Sequence, residues 1–488
     1  MKGKRCLALV LVSAMLTGTF YGCSGSTASA GSTAASETAA VSTAGDTAPA
    51  ASAAAAASGT FDWKKYSGTT IKVSLNQNCT GEAIIAKLPE FEKATGIKVE
   101  HSITPEANYF DKVSTSLSSR SGDPDLFMSG PYQLWDYSSA GYVEDLSTYL
   151  NDSNKMPSDY DFNDLIPATV NALKWDGTAG HKVGTGKQLA LPMNFEIYSL
   201  AYNTEAFKKL NLQVPKTLDQ LLTVSEKLKN WNGAGSYGLA IRGARDWGTI
   251  HPAYMSEFTN YGAKDFEIKD GKLVSQVNSA EAVKMTSYWV DLIKKGCASS
   301  WAKYTWYEAG ADLGAGKAAM LFDADNNGIQ QNWDGASQEA GKIAWAPMPT
   351  VKEGDTANSN MWVWSMAMNA NSKHKDAAWY FLLYFTSKEF FRYASVEGKN
   401  VDPCRTSTWN DSGFQAKMAK QPGYIDTYKK TVDKATILFT PQPSFFETTT
   451  DWAETLQDIV AGKYSGVQQG MDQLKTKMDK AVEDVEVQ

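Results

Sequence analysis

Short apolar strands alternate with amphipathic helices where the chain first becomes rich in large side chains, and this alternation most constrains the fold. Thr70–Leu75 places Ile, Val and Leu at every second position, which is typical of a strand. The spacing then predicts helix Glu82–Thr95, strand Ile97–Val99, helix Phe110–Ser119 and strand Asp125–Met128. This β-α-β-α-β order favours a mainly parallel sheet with helices on both faces.

The first predicted helix carries its own end signals. Gly96 stands where a C-cap glycine belongs, directly after Thr95, the last residue of the predicted helix. Pro89 lies inside the helix and is expected to kink it or to split it in two.

The alternation returns in a second form further along the chain. The length after residue 60 exceeds that of one ordinary core, so we expect an α/β protein with two lobes. Each lobe is expected to contain a doubly wound sheet, with pieces of the two interleaved along the chain. The later predicted elements are strands Gln188–Pro192, Ile197–Tyr202, Ala318–Phe322, Ile343–Pro347 and Trp362–Met368, and helices Ala280–Lys295 and Lys375–Thr386.

The amino-terminal end has the layout of a cleavable export signal. Three cationic residues, the apolar run Leu7–Leu16 and a small residue precede Cys23. We expect residues 1–22 to be a lipoprotein-type signal peptide and Cys23 to be lipidated. Phe20 stands where that class usually has Leu, so an ordinary signal cut elsewhere is the alternative. Residues 23–60 are nearly all small or polar and predict a disordered linker.

Charge and cysteine usage exclude several classes of function. Loss of the three cationic signal residues takes the formal charge from −7 to −10, which argues against nucleic acid and against electrostatic binding to acidic membranes. Cys79, Cys297 and Cys404 are too few for a disulfide framework, and one bridge or none both stay open. There is no C-x-x-C and the four histidines are scattered, so we predict neither a metal site nor a cofactor.

Several motifs in a fixed order carry a family resemblance. They are FEKATGIKV at Phe91–Val99, GDPDL at Gly122–Leu126, LP at Leu191-Pro192 followed by LAYN at Leu200–Asn203, GKAAM at Gly316–Met320 and AAWYF at Ala377–Phe381. With them, residues 70–485 resemble the extracellular solute-binding proteins of ABC transporters, in the sugar-binding cluster that includes maltodextrin-binding protein.

The resemblance implies a periplasmic-binding-protein-like fold, in which two α/β lobes joined by crossing hinge strands close on a solute. The crossings fall near Met193–Ile197, Pro347–Met361 and Gly398–Pro403. The implied N-terminal lobe is residues 61–193 plus 361–398, and the C-terminal lobe is residues 197–347 plus 404–488.

Sugars and polyols bind to planar polar groups, which pair with hydroxyls, and to aromatic rings, which lie against C–H faces. Asn76 and Gln77 end the first predicted strand, and Tyr132 and Gln133 follow the third, so these four are candidate ligand contacts. A plain turn-forming role is the alternative for the first two.

Glu196 is the first choice for a ligand contact, because the resemblance places a sugar-binding glutamate there. The alternative is a hinge carboxylate paired with an arginine. Arg242, Asp246 and Trp247 form a polar and aromatic loop that suits a cleft wall, or else an exposed ion pair. Arg405 resembles the family's Pro-x-Arg step and could clamp hydroxyls or cap a helix.

The segment DADNNG, which begins at Asp323, nearly fits a calcium loop. Asp334 at its twelfth position is not the usual bidentate Glu, and the preceding residues predict a strand rather than a helix. In the family this loop faces the solute, so Asp323 and Asp325 are expected to accept hydroxyls instead. Trp362 and Trp364 alternate on a strand after the second crossing, and Trp362 is expected to stack on the ligand; the alternative is that both are core.

The resulting hypothesis is a receptor without catalytic residues, held by a lipid at the outer face of the cell membrane. It binds a carbohydrate, an oligosaccharide or polyol, between its lobes and delivers it to the transmembrane subunits of an ABC permease. We expect a monomer. An exported glycoside hydrolase is the main alternative, since a sugar cleft with several carboxylates also suits that chemistry. A surface glycan-binding protein is a further one.

Overall fold

The computed structural model describes residues 61–487. The predicted signal peptide, Cys23 and the linker of residues 23–60 lie outside the described residues. The strands are β1 (Thr70–Asn76), β2 (Lys98–Thr104), β3 (Leu126–Ser129), β4 (Lys174–Trp175), β5 (Lys187–Gln188), β6 (Leu191–Asn203), β7 (Tyr237–Ala240), β8 (Phe266–Lys269), β9 (Lys272–Ser275), β10 (Ala318–Ala324), β11 (Ile343–Pro347), β12 (Ser359–Met368) and β13 (Ala435–Thr436).

The helices cover most of the intervening chain. They are α1 (Cys79–Thr95), α2 (Glu106–Ser118), α3 (Pro131–Ser139), α4 (Ser147–Leu150), α5 (Pro167–Asn171), α6 (Thr204–Lys209), α7 (Leu218–Lys227), α8 (Ala253–Asn260), α9 (Ala280–Gly296), α10 (Trp306–Gly314), α11 (Asp325–Asn332), α12 (Lys375–Phe385), α13 (Lys388–Arg392), α14 (Thr406–Trp409), α15 (Ser412–Met418), α16 (Tyr424–Thr431), α17 (Phe445–Val460) and α18 (Val467–Ala481).

The main strands form one mixed sheet path in the order β2-β1-β3-β12-β6-β10-β7. β1 pairs in parallel with β2 and β3, and β10 pairs in parallel with β7, as the alternation predicts. The two parallel ends are joined by antiparallel pairing of β3 with β12, β12 with β6, and β6 with β10. β1 lies between two neighbours and carries the buried residues Ile71, Val73 and Leu75.

Two long strands connect the halves of the molecule. β6 and β12 pair along Met361↔Ile197, Trp362↔Glu196 and Trp364↔Asn194, and the register shifts after Trp364. Such a shift marks a local irregularity in the ladder. These strands coincide with the first crossing and with the end of the second one predicted from the sequence.

Helix α1 excludes one of the two expected effects of Pro89. It runs unbroken from Cys79 to Thr95 with Pro89 inside it, so the helix is not split in two. Pro89 is exposed, and its missing N–H removes a hydrogen bond on the solvent side of the helix. Gly96 ends the helix in the left-handed conformation, as predicted.

The cysteines of the described residues form no disulfide bond. Cys79, Cys297 and Cys404 are all free thiols. Within residues 61–487, no helix is both long and apolar enough to cross a bilayer.

Candidate ligand-binding site

A cavity of about 50 Å³ lies where the ends of β1 and β2 face the two long strands and the second half of the chain. This position agrees with the rule that ligands of open α/β sheets bind outside the strand ends. The residues that line it are Asn78, Cys79, Thr80, Glu106, Asn194, Glu196, Arg242, Trp247, His251, Trp306, Ala324, Asn326, Asn327, Gln330, Trp362 and Trp364.

Two helix starts supply the wall from the first half. Asn78 caps α1, because its side-chain oxygen accepts a hydrogen bond from the Gly81 N–H at 2.9 Å. This cap places Cys79 and Thr80 in the first turn, beside the cavity. Glu106 begins α2 two residues after β2 ends, so a carboxyl reaches the same wall.

Tryptophan rings supply the apolar surface of the cavity. Trp247 and Trp362 lie with ring centroids 5.4 Å apart at an interplanar angle of 32°, and Trp362 meets Trp364 edge to face at 5.2 Å. Trp362 and Trp364 alternate on β12, so both project to the same face. Trp306 adds a fourth ring from the start of α10. Rings in this arrangement suit the C–H faces of a polyhydroxy solute.

Arg242 is the positively charged side chain of the cavity wall, and it donates four hydrogen bonds to protein groups. Its Nε donates to Asp323 Oδ2 at 2.8 Å and its Nη2 to Asp323 Oδ1 at 2.6 Å, a bidentate ion pair. Nη1 donates to the Gly248 carbonyl at 3.2 Å and to His251 Nε2 at 3.0 Å. Since arginine cannot accept, His251 carries its proton on Nδ1 and donates it to Tyr198 at 2.8 Å.

Burial and Arg242 act on His251 in the same direction. Removal from water and the adjacent guanidinium together hold the pKa of His251 well below its ordinary value. The imidazole is therefore neutral at physiological pH, and Arg242 carries the positive charge of this wall.

Two carboxyl groups line the cavity from different elements. Glu196 on β6 accepts a hydrogen bond from Trp364 Nε1 at 3.3 Å, and burial raises its pKa to about 6 against the opposing effect of Arg242. Burial raises the pKa of Glu106 to about 7, again opposed by Arg242, while the Glu196 charge adds to the rise. Glu106 also accepts a hydrogen bond from Trp306, which joins the two halves across the cavity.

A second acidic group lies directly behind the cavity. The Tyr424 hydroxyl hydrogen-bonds to Asp402 and also donates to Asp325 Oδ2 at 3.2 Å. Burial raises the pKa of Asp325 to about 7, and burial together with the Asp325 charge raises the pKa of Asp402. Asp325 also accepts the Ile197 N–H at 3.3 Å, so this group connects α11 to β6.

Comparison with known proteins decides the family. The family model described as bacterial extracellular solute-binding protein matches residues 79–390. The chain belongs to this family. The family resemblance found in the sequence is therefore confirmed. Among curated relatives, the erythritol/L-threitol-binding protein of Mycolicibacterium smegmatis is 37% identical over 406 residues, covering 83% of this chain and 84% of the relative.

Solved structures of solute-binding proteins share the fold. One from Agrobacterium radiobacter K84, in complex with ribitol, superposes with a TM-score of 0.73 at 21% identity and covers 85% of this chain and 99% of its own. A maltose-bound protein of T. maritima gives a TM-score of 0.71 at 19% identity, with 85% and 100% covered. The two-lobed α/β fold predicted from the sequence is thus confirmed.

The structure places four of the predicted contact residues of this solute-binding protein in the cavity wall. They are Glu196, Arg242, Trp247 and Trp362. Asp246 lies beside the wall, where its charge raises the pKa of Glu106. Asp323 and Asp325 lie behind the wall and contact Arg242 and Tyr424 instead of facing the cavity.

The residues predicted at the ends of β1 and β3 lie deeper than expected or outside the lining. Gln77 is exposed and does not line the cavity. Asn76 and Gln133 are completely buried, and neither side chain has a hydrogen-bond partner among residues 61–487. Tyr132 stacks on Phe445 with centroids 4.3 Å apart, and its hydroxyl accepts from Asn360 at 2.8 Å.

Arg405 has a structural role outside the cavity lining. Its Nε donates to the Thr386 carbonyl at 2.8 Å, Nη2 to the Tyr160 carbonyl at 2.9 Å, and Nη1 to the Asp161 carbonyl and the Asp164 carboxylate. These partners use the donors that a sugar clamp would need. The side chain is completely buried among segments that come before and after it in the chain.

The segment that nearly fits a calcium loop has its first two aspartates in other roles. Both Asp323 carboxylate oxygens accept from Arg242, and Asp325 is already the first residue of α11. In the described part of the chain, no group of three or more His, Cys, Asp or Glu side chains could hold a metal ion.

Several lining residues were not among the candidates drawn from the sequence. Glu106 and Trp306 are the most informative, because each begins a helix that follows a polar loop. The strand-end rule could have found Glu106, since it follows β2 as Gln77 follows β1. Trp306 lies 200 residues further along, and nothing local indicates its partner.

Proposed function

We propose that this solute-binding protein captures a short-chain polyol or a small sugar in the cavity and passes it to an ABC permease. The observation that carries the proposal is the cavity itself, which combines four tryptophans with amide, carboxyl and guanidinium groups. Its volume of about 50 Å³ has room for a few water-sized groups, which favours the polyol end of the predicted range over an oligosaccharide.

The chemistry of the walls fits such a solute. Asn194, Asn326 and Asn327 offer both donors and acceptors, so they can pair with hydroxyls in either role. Glu196 and Glu106 can accept hydrogen bonds from solute hydroxyl groups on two sides of the cavity. The relative from Mycolicibacterium smegmatis, which is named for erythritol and L-threitol, supports a four-carbon polyol as the first ligand to test.

Binding is the activity that we propose, without a chemical step. The relatives named for their ligands are binding proteins, which supports a receptor over a glycoside hydrolase. The hydrolase alternative is tested by incubating the protein with maltose and longer glucans. Release of glucose would favour it.

The membrane context is part of the same proposal. We infer that Cys23 carries a lipid, that residues 24–60 form a tether, and that the transmembrane subunits of a permease are the partner of a monomeric receptor. Mass spectrometry of the mature amino-terminal peptide tests the first step. A Cys23→Ser protein should be released into the medium or periplasm, whereas its retention on the membrane would contradict the anchor.

Isothermal titration calorimetry of the purified protein tests the ligand class. A panel of tetritols, pentitols, hexitols and maltose should give the tightest binding for one of the shorter polyols. Trp362→Ala should weaken that binding about tenfold, because an aromatic contact contributes up to about 1.5 kcal/mol and a tenfold change in affinity corresponds to about 1.4 kcal/mol. The matched control is Trp63→Ala, because Trp63 packs on Tyr380 and Tyr384 and does not line the cavity. Equal loss in both variants would contradict the site.

A further inference from the structure

The charges around the cavity are unbalanced in a way that bears on which solutes can enter. Among residues 61–487, Arg242 is the one cationic side chain that lines the cavity, and no lysine does. Glu106 and Glu196 line it as well, and Asp246 lies close enough to affect Glu106. We infer that the cavity selects solutes by charge, admitting neutral and cationic polyhydroxy compounds and excluding their carboxylate and phosphate counterparts. This inference rests on the proposed polyol-binding function.

Arg242 has too few free N–H groups to bind a second carboxylate. A guanidinium has five N–H donors and binds a carboxylate best through two parallel bonds. Asp323 already takes this bidentate position through Nε and Nη2, and the two Nη1 donors go to Gly248 and His251. One Nη2 N–H is left, which is enough for a hydroxyl but not for a second carboxylate fork.

No other residue of the lining supplies a positive charge. His251 accepts from Arg242, so it is neutral and remains so while that bond is present. Lys399 and Lys417 both interact with the Cys79 thiol, but neither lines the cavity, and Lys417 donates to the Ser395 and Gly398 carbonyls. The indole groups of Trp306 and Trp364 donate to Glu106 and Glu196, but they leave the charge of those carboxyl groups in place.

An anionic solute would therefore meet carboxylates with no second cation in the lining to offset them. Like charges brought together in a site shielded from water repel strongly, so charge excludes such a solute even when its shape is unchanged. An ammonium group replacing one hydroxyl has the opposite effect, because Glu106 or Glu196 can accept its protons. The carboxyl pair thus distinguishes compounds that differ in one terminal group.

The experiment compares three solutes of one carbon number at pH 8: a polyol, the aldonate with one terminal carboxylate, and the 1-amino-1-deoxy polyol. Titration calorimetry in a buffer free of polyols and amines gives the three dissociation constants. We expect the aldonate to bind at least roughly 100-fold more weakly than the polyol, and the amino compound to bind more tightly.

The outcomes separate the two proposals. If the polyol binds and the aldonate binds equally well, the charge selection is overturned and the polyol-binding function remains. If the amino compound binds and the neutral polyol does not, the function is overturned and the charge selection is supported. If neither the polyol nor the amino compound binds, the polyol-binding function and the charge selection are both overturned.

Two variants identify the residues responsible. Glu106→Gln and Glu196→Gln keep the shape of the side chain and remove the charge, so each should narrow the ratio between aldonate and polyol affinities by about tenfold. Glu257→Gln is the control, because Glu257 is a completely buried carboxyl that lies outside the lining. A ratio unchanged in both cavity variants would overturn the assignment, and the wild-type comparison stands even if a variant fails to fold.

Discussion

The indole ring of Trp362 packs directly against the backbone of Gly130, at the residue that joins β3 to α3. A Cβ atom built on Gly130 would overlap the six-membered part of the ring. Gly130 has an ordinary φ of −116°, so the position requires glycine for lack of space and not for its backbone conformation. The position of a cavity tryptophan is thus set by the residue that follows β3, the strand that pairs with β12.

Gly130→Ala should therefore disrupt ligand binding through Trp362. The methyl group must displace the ring, which shifts the stacking surface of the cavity, and we expect a loss of affinity of at least tenfold by calorimetry. Gly466→Ala is the control, because Gly466 has extended backbone and open space where its Cβ would lie. Unchanged affinity in Gly130→Ala would show that the ring position is unimportant.

Breaking the Arg242–Asp323 ion pair should destabilise the fold. Both side chains are almost completely buried, and removal of one partner from a buried pair typically costs about 3–5 kcal/mol. Asp323→Asn is expected to lower the free energy of unfolding in urea by a few kcal/mol on that scale. Glu353→Gln removes one partner of the exposed Lys216–Glu353 pair and should have no measurable effect. Similar curves for the two variants would contradict the role given to the buried pair.

The Asp325–Asp402 pair should make the fold less stable as the pH rises. Both pKa values are raised in the folded state, so the native protein binds more protons than the unfolded chain above about pH 4. The stabilisation is complete below that pH and is lost as the pH rises through about 7, the pKa of Asp325. Urea unfolding from pH 5 to 8 should show the fall, and Asp402→Asn should flatten it.

The exposed residue Asp334 provides the control for this pH series. Asp334→Asn should leave the slope of the wild-type curve unchanged. The difference between wild type and Asp402→Asn isolates the pair from other titrating groups. A steeper fall in Asp402→Asn would contradict a proton shared within the pair.

Cys79 offers a direct measure of access to the cavity. The thiol lines the cavity, and burial raises its pKa to about 11, so alkylation by iodoacetamide at pH 8 should be slow. A bound polyol should slow it further, because the reagent and the solute need the same space. Peptide mapping by mass spectrometry would follow Cys79 beside Cys297, which lies outside the lining and should react at the same rate with or without solute. An alkylation rate at Cys79 that is the same with and without the polyol would contradict binding in this cavity.

The sequence predicted the frame of the site better than its detail. Strand alternation and ordered motifs predict the two-lobed fold. Glu196 could be chosen because the family resemblance places a sugar-binding glutamate there, and Trp362 because it directly follows a predicted crossing. Asn76 was expected at the cavity but is completely buried outside the lining, whereas Cys79 and Thr80 at the start of α1 line it. The local sequence pattern does not define the end of a strand to within two or three residues, and that difference decides which side chains line the cavity.

Other parts of the site depend on contacts between distant segments. Arg242 and Asp323 could each be assigned to a cleft wall, but their pairing turns one of them away from the cavity. Glu106 and Trp306 meet only when the two halves approach each other, and Arg405 is drawn into a network with Tyr160 and Thr386. Such outcomes are decided by tertiary packing and not by the neighbours in the chain.

The pairing of β6 with β12 has a consequence for how such a receptor could change its specificity. Glu196 lies opposite Trp362, and Asn194 opposite Trp364, so four cavity-lining side chains sit on the same pair of strands. If the two halves close on a solute about this ribbon, ligand preference and the balance between open and closed forms depend on the same residues, and a substitution that changes the first also changes the second.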